Sequence, residues 1–310
     1  MKKLENEKGA AISLKRHREY SSLESKRVVI GILLLLPAIA SLIIFKYLPF
    51  FMGVFISFFD FDIVNMPGDF IGVDNYIRAF QDARFYAAIG HNFKIFCYSL
   101  IMNFWVPVFF AILINETRKG RTAFRLAYFI PGCAPAIAMT IIWKFFWQPD
   151  YGVANYLVGL LGIEPQLWLN DKTLVYFCMH FPGLIICGGM NLVIYLAALQ
   201  NIPQELYEAS VIDGAGVLQR VKNITLPQIS DTIFLMFTLS LINIVNAMEN
   251  VMVLTGGGPA GSTETALLYA YKQGTNSMDY SYAMTMITIV FIIVLVINIC
   301  TNKLKSRREL

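Results

Sequence analysis

The chain has 310 residues, of which 56% are apolar and only 15% charged, and its mean hydropathy is +0.57. That composition excludes an ordinary soluble globular domain, and a net charge of +4 gives no support to a nucleic-acid binder. The five cysteines, Cys97, Cys133, Cys178, Cys187 and Cys300, lie in apolar segments without a C-x-x-C pair, so they are expected to be small buried hydrophobes, neither disulfide partners nor metal ligands.

Taken in order, residues 1–27 form a basic segment carrying Lys2, Lys3, Lys8, Lys15, Arg16, Arg18, Lys26 and Arg27. An apolar run from Val28 follows at once and is too long for a cleavable signal sequence, so it is expected to be a first membrane span with the N-terminus in the cytoplasm. Lys46 and Tyr47 suit the far interface, and Pro49 is expected to permit a bend. An outside loop over 60–87 includes the segment FIGVDNYIRAF, and a second span over 88–115 meets Pro107, expected as a kink. A basic turn follows, with Arg118, Lys119 and Arg121.

The third span is expected over 124–147, loosened early by Pro131, Gly132 and Pro135 and closed by Trp143, Phe145, Phe146 and Trp147, among which Lys144 snorkels outward. A second outside loop covers 149–172. The fourth span, 174–200, holds His180, Pro182 and several glycines, which predict a bend near Pro182 and close helix approach at the glycines. A fifth span over 226–254, a glycine-rich outside loop, a sixth span over 283–301 and the basic tail 303–310 complete the chain. Most of the 25 Lys and Arg then fall on the inside, which makes the topology self-consistent, with both termini cytoplasmic.

Polar side chains inside spans are costly and mark a solute path or interhelical bonds. The fifth span concentrates them: Asn243, Asn246 and Glu249 fall on one helical face, with Asn250 next in line, while Asn103 and Asn191 are candidates from other spans. For any single one of these residues, a solute contact and a bond between helices stand about even. No catalytic signature is present, neither H-E-x-x-H nor G-x-S-x-G, and no phosphate-cradling G-x-x-x-x-G-K-[ST] loop.

The polar stretch between the fourth and fifth spans, residues 201–227, reads NIPQELYEASVIDGAGVLQRVKNITLP. Pro203 suits a first helical turn, residues 204–212 favour helix, and Gly214 and Gly216 end or bend it. Glu208-Ala209-Ser210, then Gly214, Ile224 and Leu226-Pro227 at fixed intervals resemble the cytoplasmic coupling loop of binding-protein-dependent ABC importer permeases, with Ser210 in place of the usual second alanine. A serine hydroxyl there can bond back one turn, so the helix is expected to survive. The segment VLTGGGPAGSTET, residues 253–265, resembles the outside turn after the fifth span in carbohydrate-type members, as do the LLLLPAI and FKYLPF pieces of the first span.

The resemblance implies an all-α polytopic membrane protein of six transmembrane helices with the type I ABC importer permease fold, residues 28–302 forming the permease domain. It implies transport of a sugar or oligosaccharide across the cytoplasmic membrane by alternating access, and no enzymatic activity in this chain. The implied partners are a second homologous permease, a cytoplasmic ATPase dimer that uses ATP and Mg, an extracytoplasmic solute-binding protein and membrane lipid. No cofactor or metal is implied for the chain itself. The ATPase-coupling set would be Glu205, Glu208, Ala209, Ser210, Asp213, Gly214, Ile224, Leu226 and Pro227. The binding protein would meet Gly256, Gly257, Gly258 and Pro259. A polyol or glycerol-phosphate solute remains an alternative, mildly disfavoured by the lack of basic residues in mid-span. An ion-coupled secondary carrier is a more distant one, since no inverted repeat is evident.

Overall fold

In a membrane no water satisfies a freed carbonyl, so a proline inside a span calls for a local rearrangement of the helix or for another donor nearby. The computed structural model describes residues 27, 29–61, 66, 68–117, 120–186, 189–243 and 247–306. Asn246, Cys187, Gly188, Asp62, Pro67, Arg118, Lys119, the basic residues through Lys26, and Arg307 and Arg308 lie outside them. The chain forms two compact units, one ending at Ile56 and one beginning at Ser57.

The first unit contains helix α1, Val29–Ile56, long and apolar enough to cross a bilayer. Pro49 does not interrupt it. A π-helical turn over Ile43–Tyr47 precedes the proline and contains Phe45, the residue whose carbonyl Pro49 leaves without a donor.

The second unit starts with a short antiparallel hairpin, β1 (Phe59–Asp60) and β2 (Asp69–Phe70), pairing Phe59 with Phe70 and Asp60 with Asp69. The amphipathic helix α2, Asp74–Gln81, follows, within the expected outside loop. Asp82 then caps α3, accepting from the backbone N–H groups of Arg84 and Phe85, so the helix starts at Ala83, before the expected end of the loop. Helix α3, Ala83–Glu116, is a single span. It too carries a π-helical turn, Leu100–Phe104, just ahead of a proline, Pro107, whose i−4 residue is Asn103.

The expected third span is sharply broken. Helices α4, Arg121–Gly132, and α5, Ala136–Phe146, meet at about 90°. Pro131 and Pro135 flank the break, and proline at 135 restricts the residue before it to extended backbone. Helix α6, Val153–Gly159, lies in the following loop. The fourth span divides into α7, Val175–Ile186, which runs through Pro182 without ending there, and α8, Met190–Gln200. The bend expected at Pro182 therefore falls further along. Close approach at glycines is present: a Cβ on Gly132 would lie 2.9 Å from the Cα of Gly189, and one on Gly183 would lie 2.4 Å from Oδ1 of Asn103.

Helix α9, Gln204–Ile212, leads to α10, Val217–Gln228, which bends by 65° into α11, Ser230–Asn243. A third π-helical turn, Val221–Thr225, precedes Pro227. Helix α12, Ala247–Leu254, a tight turn, α13, Ala266–Asn276, and the long α14, Tyr280–Ser306, finish the fold. With each bent pair counted as one span, the helices supply up to six spans.

Among the four described cysteines, Cys178 is buried as expected, whereas Cys133 and Cys300 are exposed and Cys97 is half-buried. An apolar stretch of sequence does not by itself bury a thiol in protein, because in a span hydrocarbon can supply the same surroundings. Lys144 is exposed, and it makes a specific contact that the expectation of snorkelling did not include. Its ammonium donates to the carbonyl of Val253 at 2.9 Å, capping the end of α12, where a cation is favoured by the helix dipole.

The contact at Gly132 supports a first prediction. Gly132→Val forces α4 and α8 apart and is expected to cost about 1–3 kcal/mol in unfolding free energy, measured by denaturation in detergent, whereas Gly159→Ala, in open space, leaves it unchanged.

Candidate functional site

The polar residues predicted from separate spans converge on one cavity of about 480 Å³. Asn103, Asn191, Asn243 and Asn250 all line it. Asn103 is brought there by the π-helical turn ahead of Pro107, and Gly183 allows α7 to pass close to its amide. Asn243 is the last residue of α11 and Asn250 lies in the first turn of α12, and both line this space. Asn250 accepts from the hydroxyl of Thr140 at 3.1 Å, tying it to α5. Glu249, expected on the face of Asn243, is exposed and does not line the cavity, and Asn246 lies outside the described residues.

Several cavity residues were not singled out as solute contacts in the sequence. Ser99, Ser240 and Tyr195 add hydroxyls, and Phe96 and Phe104 add rings. His180, expected to bond between helices, donates from Nδ1 to the Tyr176 carbonyl of its own helix, 2.7 Å away, and also meets the backbone of Ile95 on α3. Its ring stacks on Tyr98 at 6.0 Å between centroids. Oδ1 of Asn103 and the hydroxyl of Tyr195 are buried without a hydrogen-bond partner among the described residues. Leaving such groups unpaired is expensive, so these two atoms are standing acceptors and donors for whatever enters. Among the described residues no Asp, Glu, Lys or Arg lines this cavity.

Residues 201–227 separate into two groups. Glu205, Glu208, Ala209, Asp213 and Gly214 are exposed, as are the apolar Val211, Ile212, Val217 and Leu218, with Ile212 86% and Leu218 81% exposed. Ile224 and Leu226 instead pack against the apolar cluster of Leu199, Ile202 and Ile229, and Pro227 opens the short turn leading into α11. The hydroxyl of Ser210 donates to the carbonyl of Tyr207 at 2.7 Å, so the helix keeps its form with serine at that position. Gly214 has φ +76°, the left-handed conformation in which α9 turns into α10, and no atom lies near its missing Cβ. The pair of helices is fastened beneath by Tyr207 and Thr225, whose hydroxyls are 3.0 Å apart, and by Arg220, 3.7 Å from Glu116 at the end of α3. A groove of about 670 Å³ runs along this face past Glu116, Tyr207, Glu208 and Ile212.

The turn after α12 is held by a buried carboxylate that its sequence did not reveal. Glu264, with its side chain 4% exposed, receives Nε and Nη2 of Arg84 at 2.8 and 3.1 Å and Nζ of Lys272 at 2.9 Å. Lys272 also donates to the Gly256 carbonyl, and the Thr263 hydroxyl donates to that of Gly258. Tyr176 donates to Ser262. Gly256 is exposed, Gly257 is buried, and Gly258 and Pro259 are half-buried, so the predicted contact set is in part held by internal bonds. Nearby, Asp82 accepts from the hydroxyls of Tyr269 and Tyr282 at 2.8 and 2.6 Å, and Arg78 pairs with Asp279 at 2.7 Å. Burial pushes the Glu264 carboxyl up, but the Arg84 and Lys272 bonds outweigh it and hold it below the usual carboxylate range. Asp82 is likewise raised by burial and lowered on balance by its tyrosine and backbone donors.

Comparison with known proteins gives a consistent result. The family described as "Binding-protein-dependent transport system inner membrane component" matches residues 27–306. The Trehalose/maltose transport system permease protein MalF of Thermococcus litoralis is 30% identical over 291 residues, covering 93% of this chain and 98% of the relative. The Arabinooligosaccharides transport system permease protein AraP of Bacillus subtilis is 31% identical, covering 85% and 86%. Among solved structures, a chain of a bacterial ABC transporter involved in import of the acidic polysaccharide alginate superposes with a TM-score of 0.81 at 26% identity, covering 91% and 96%. A second structure of the alginate transporter, in complex with an alginate pentasaccharide-bound periplasmic protein, matches with the same TM-score at 25% identity.

Glu264 generates a pH prediction. A carboxylate whose folded pKa is lowered stabilises the fold above its unfolded pKa and loses that contribution as pH falls through the lower, folded value. Acid is therefore expected to loosen this end of the molecule, and Glu264→Gln is expected to cost on the order of 2 kcal/mol at neutral pH while flattening the acid limb of a stability profile. Thermal unfolding followed across pH reads both effects.

Proposed function

Because this chain belongs to the family of binding-protein-dependent transport system inner membrane components, with sugar permeases of ABC transporters as its relatives, we propose that it passes a neutral sugar or oligosaccharide through the cavity around Asn103, driven through residues 201–227 by a separate ATPase. The permeases of this family are not themselves enzymes.

The observation that carries the proposal is the chemistry of the cavity wall. Amides of Asn103, Asn191, Asn243 and Asn250 and hydroxyls of Ser99, Ser240 and Tyr195 can donate to and accept from sugar hydroxyls, while the rings of Phe96 and Phe104 can lie against C–H faces. Without a lysine or arginine among the described lining residues, a phosphorylated solute would enter without a counter-charge, which favours a neutral polyhydroxylated solute over a glycerol-phosphate type.

The exposed face of α9 and α10 supplies the other half of the proposal. Ile212, Leu218 and Val217 on a polar loop are costly to leave in water, and Glu208 and Asp213 beside them add charge selectivity for a docking cleft. On this reading that face lies in the cytoplasm of a multi-pass protein of the cytoplasmic membrane and docks on an ATPase dimer that binds the ATP and Mg. A second homologous permease completes the pathway by alternating access. An extracytoplasmic binding protein delivers the solute to the end carrying residues 253–265, in keeping with the periplasmic protein bound to the structural neighbour.

Transport assays in proteoliposomes containing the assembled importer test both halves. Gly214→Val is expected to cut ATP-driven uptake about tenfold or more, because a β-branched residue in the left-handed conformation costs about 1–2 kcal/mol, whereas Gly214→Asn retains most of it. Glu208→Lys is expected to abolish uptake with membrane insertion intact, and normal uptake in both Gly214→Val and Glu208→Lys would remove the coupling role. Asn243→Ala is expected to shift the preference among solutes about fivefold without uncoupling ATP hydrolysis, a change of the size of one hydrogen bond.

A further inference from the structure

At the end of the second unit that carries residues 201–227, helices α4 and α8 leave a cleft of about 330 Å³. Its walls are Leu126, Phe129, Leu192, Val193 and Leu196, closed by Gln200, the last residue of α8. Among the described residues Arg125 is the one charged residue that lines it, and its Nε is buried with no acceptor among them. An unsatisfied guanidinium N–H beside leucine and phenylalanine side chains is a large penalty unless something anionic arrives.

The depth of each part identifies what fits. Arg125 lies four residues into α4, about 6 Å from the helix start, which is headgroup depth for a helix entering the bilayer there. Phe129 and Leu192 lie deeper along the same two helices, and Leu126 and Val193, 50% and 40% exposed, leave the cleft open sideways. A charged end at the interface continuing into an apolar groove matches a phospholipid, with phosphate on Arg125 and an acyl chain along the groove. A neighbouring protein helix could also cover the groove, but to satisfy Arg125 it would have to carry a carboxylate to the membrane boundary, whereas an anionic headgroup already resides at that depth.

We propose that this cleft between α4 and α8 is a binding site for an anionic phospholipid, recognised through Arg125. The test uses the full chain in nanodiscs of equal phosphatidylglycerol and phosphatidylcholine, released for native mass spectrometry to count retained lipids. The wild-type chain retains phosphatidylglycerol over phosphatidylcholine by about fivefold, the preference expected of one cation near the surface. Arg125→Gln retains the two equally, and Arg125→Lys keeps most of the preference. Val193→Trp, which fills the groove from its exposed wall, loses both lipids. Equal retention by the wild-type chain, or an unchanged preference in Arg125→Gln, overturns the proposal. The same count on the assembled transporter must again find the lipid; its absence there means that a protein helix occupies the cleft, which also overturns it.

Discussion

Proline in a membrane helix leaves one carbonyl without a donor, and in hydrocarbon that debt cannot be settled by water. The chain meets this constraint in the same way three times. Pro49, Pro107 and Pro227 each follow a π-helical turn that contains the residue four positions upstream, so the widened turn takes up the ring and the helix continues. Where two prolines stand close together, at Pro131 and Pro135, the helix breaks instead. The site follows from these choices, because the turn ahead of Pro107 holds Asn103 and the break after Pro131 redirects α5 so that Thr140 reaches Asn250.

The two ends of the bundle are built on different physics. At the end with the glycine turn, polar side chains are consumed by one another: Glu264 by Arg84 and Lys272, Asp82 by two tyrosines, Arg78 by Asp279. Such a network fixes a shape and leaves few groups unspent. At the end with residues 201–227, apolar side chains project into solvent, while Tyr207, Thr225, Arg220 and Glu116, with Ile224 and Leu226 in the apolar cluster, secure the loop from below. The first end is a finished surface, the second an incomplete one.

Much of this was legible in the sequence. Span number, the amphipathic helix at 74–81 and the helix-turn-helix at 201–227 follow from hydropathy and from Pro203 and Gly214, which are local signals. Asn103, Asn191, Asn243 and Asn250 stand out in the sequence through the cost of polar groups in lipid, but that they meet in one cavity, and that Glu249 does not, depends on packing. Other features depend on partners distant in the chain. Glu264 reads as one more loop carboxylate until Arg84, 180 positions earlier, is placed beside it. Lys144 reads as a snorkelling residue until the end of α12 arrives next to it. Ile224 and Leu226 belonged to the same spacing pattern as Glu208, yet the pattern could not separate residues facing a partner from residues facing the core.

Helix α3 runs for 34 residues, about 50 Å, from the Asp82 cap to Glu116. One end is clamped in the Arg84–Glu264 pair, the other touches Arg220 of the loop, and the only irregular turn between them is the one that carries Asn103. A rod held at both ends yields where it is weakest. On the proposed coupling, force applied at the loop would be felt as a change of curvature at Asn103, and a single helix would then be both the transmission shaft and the sensor of the cavity.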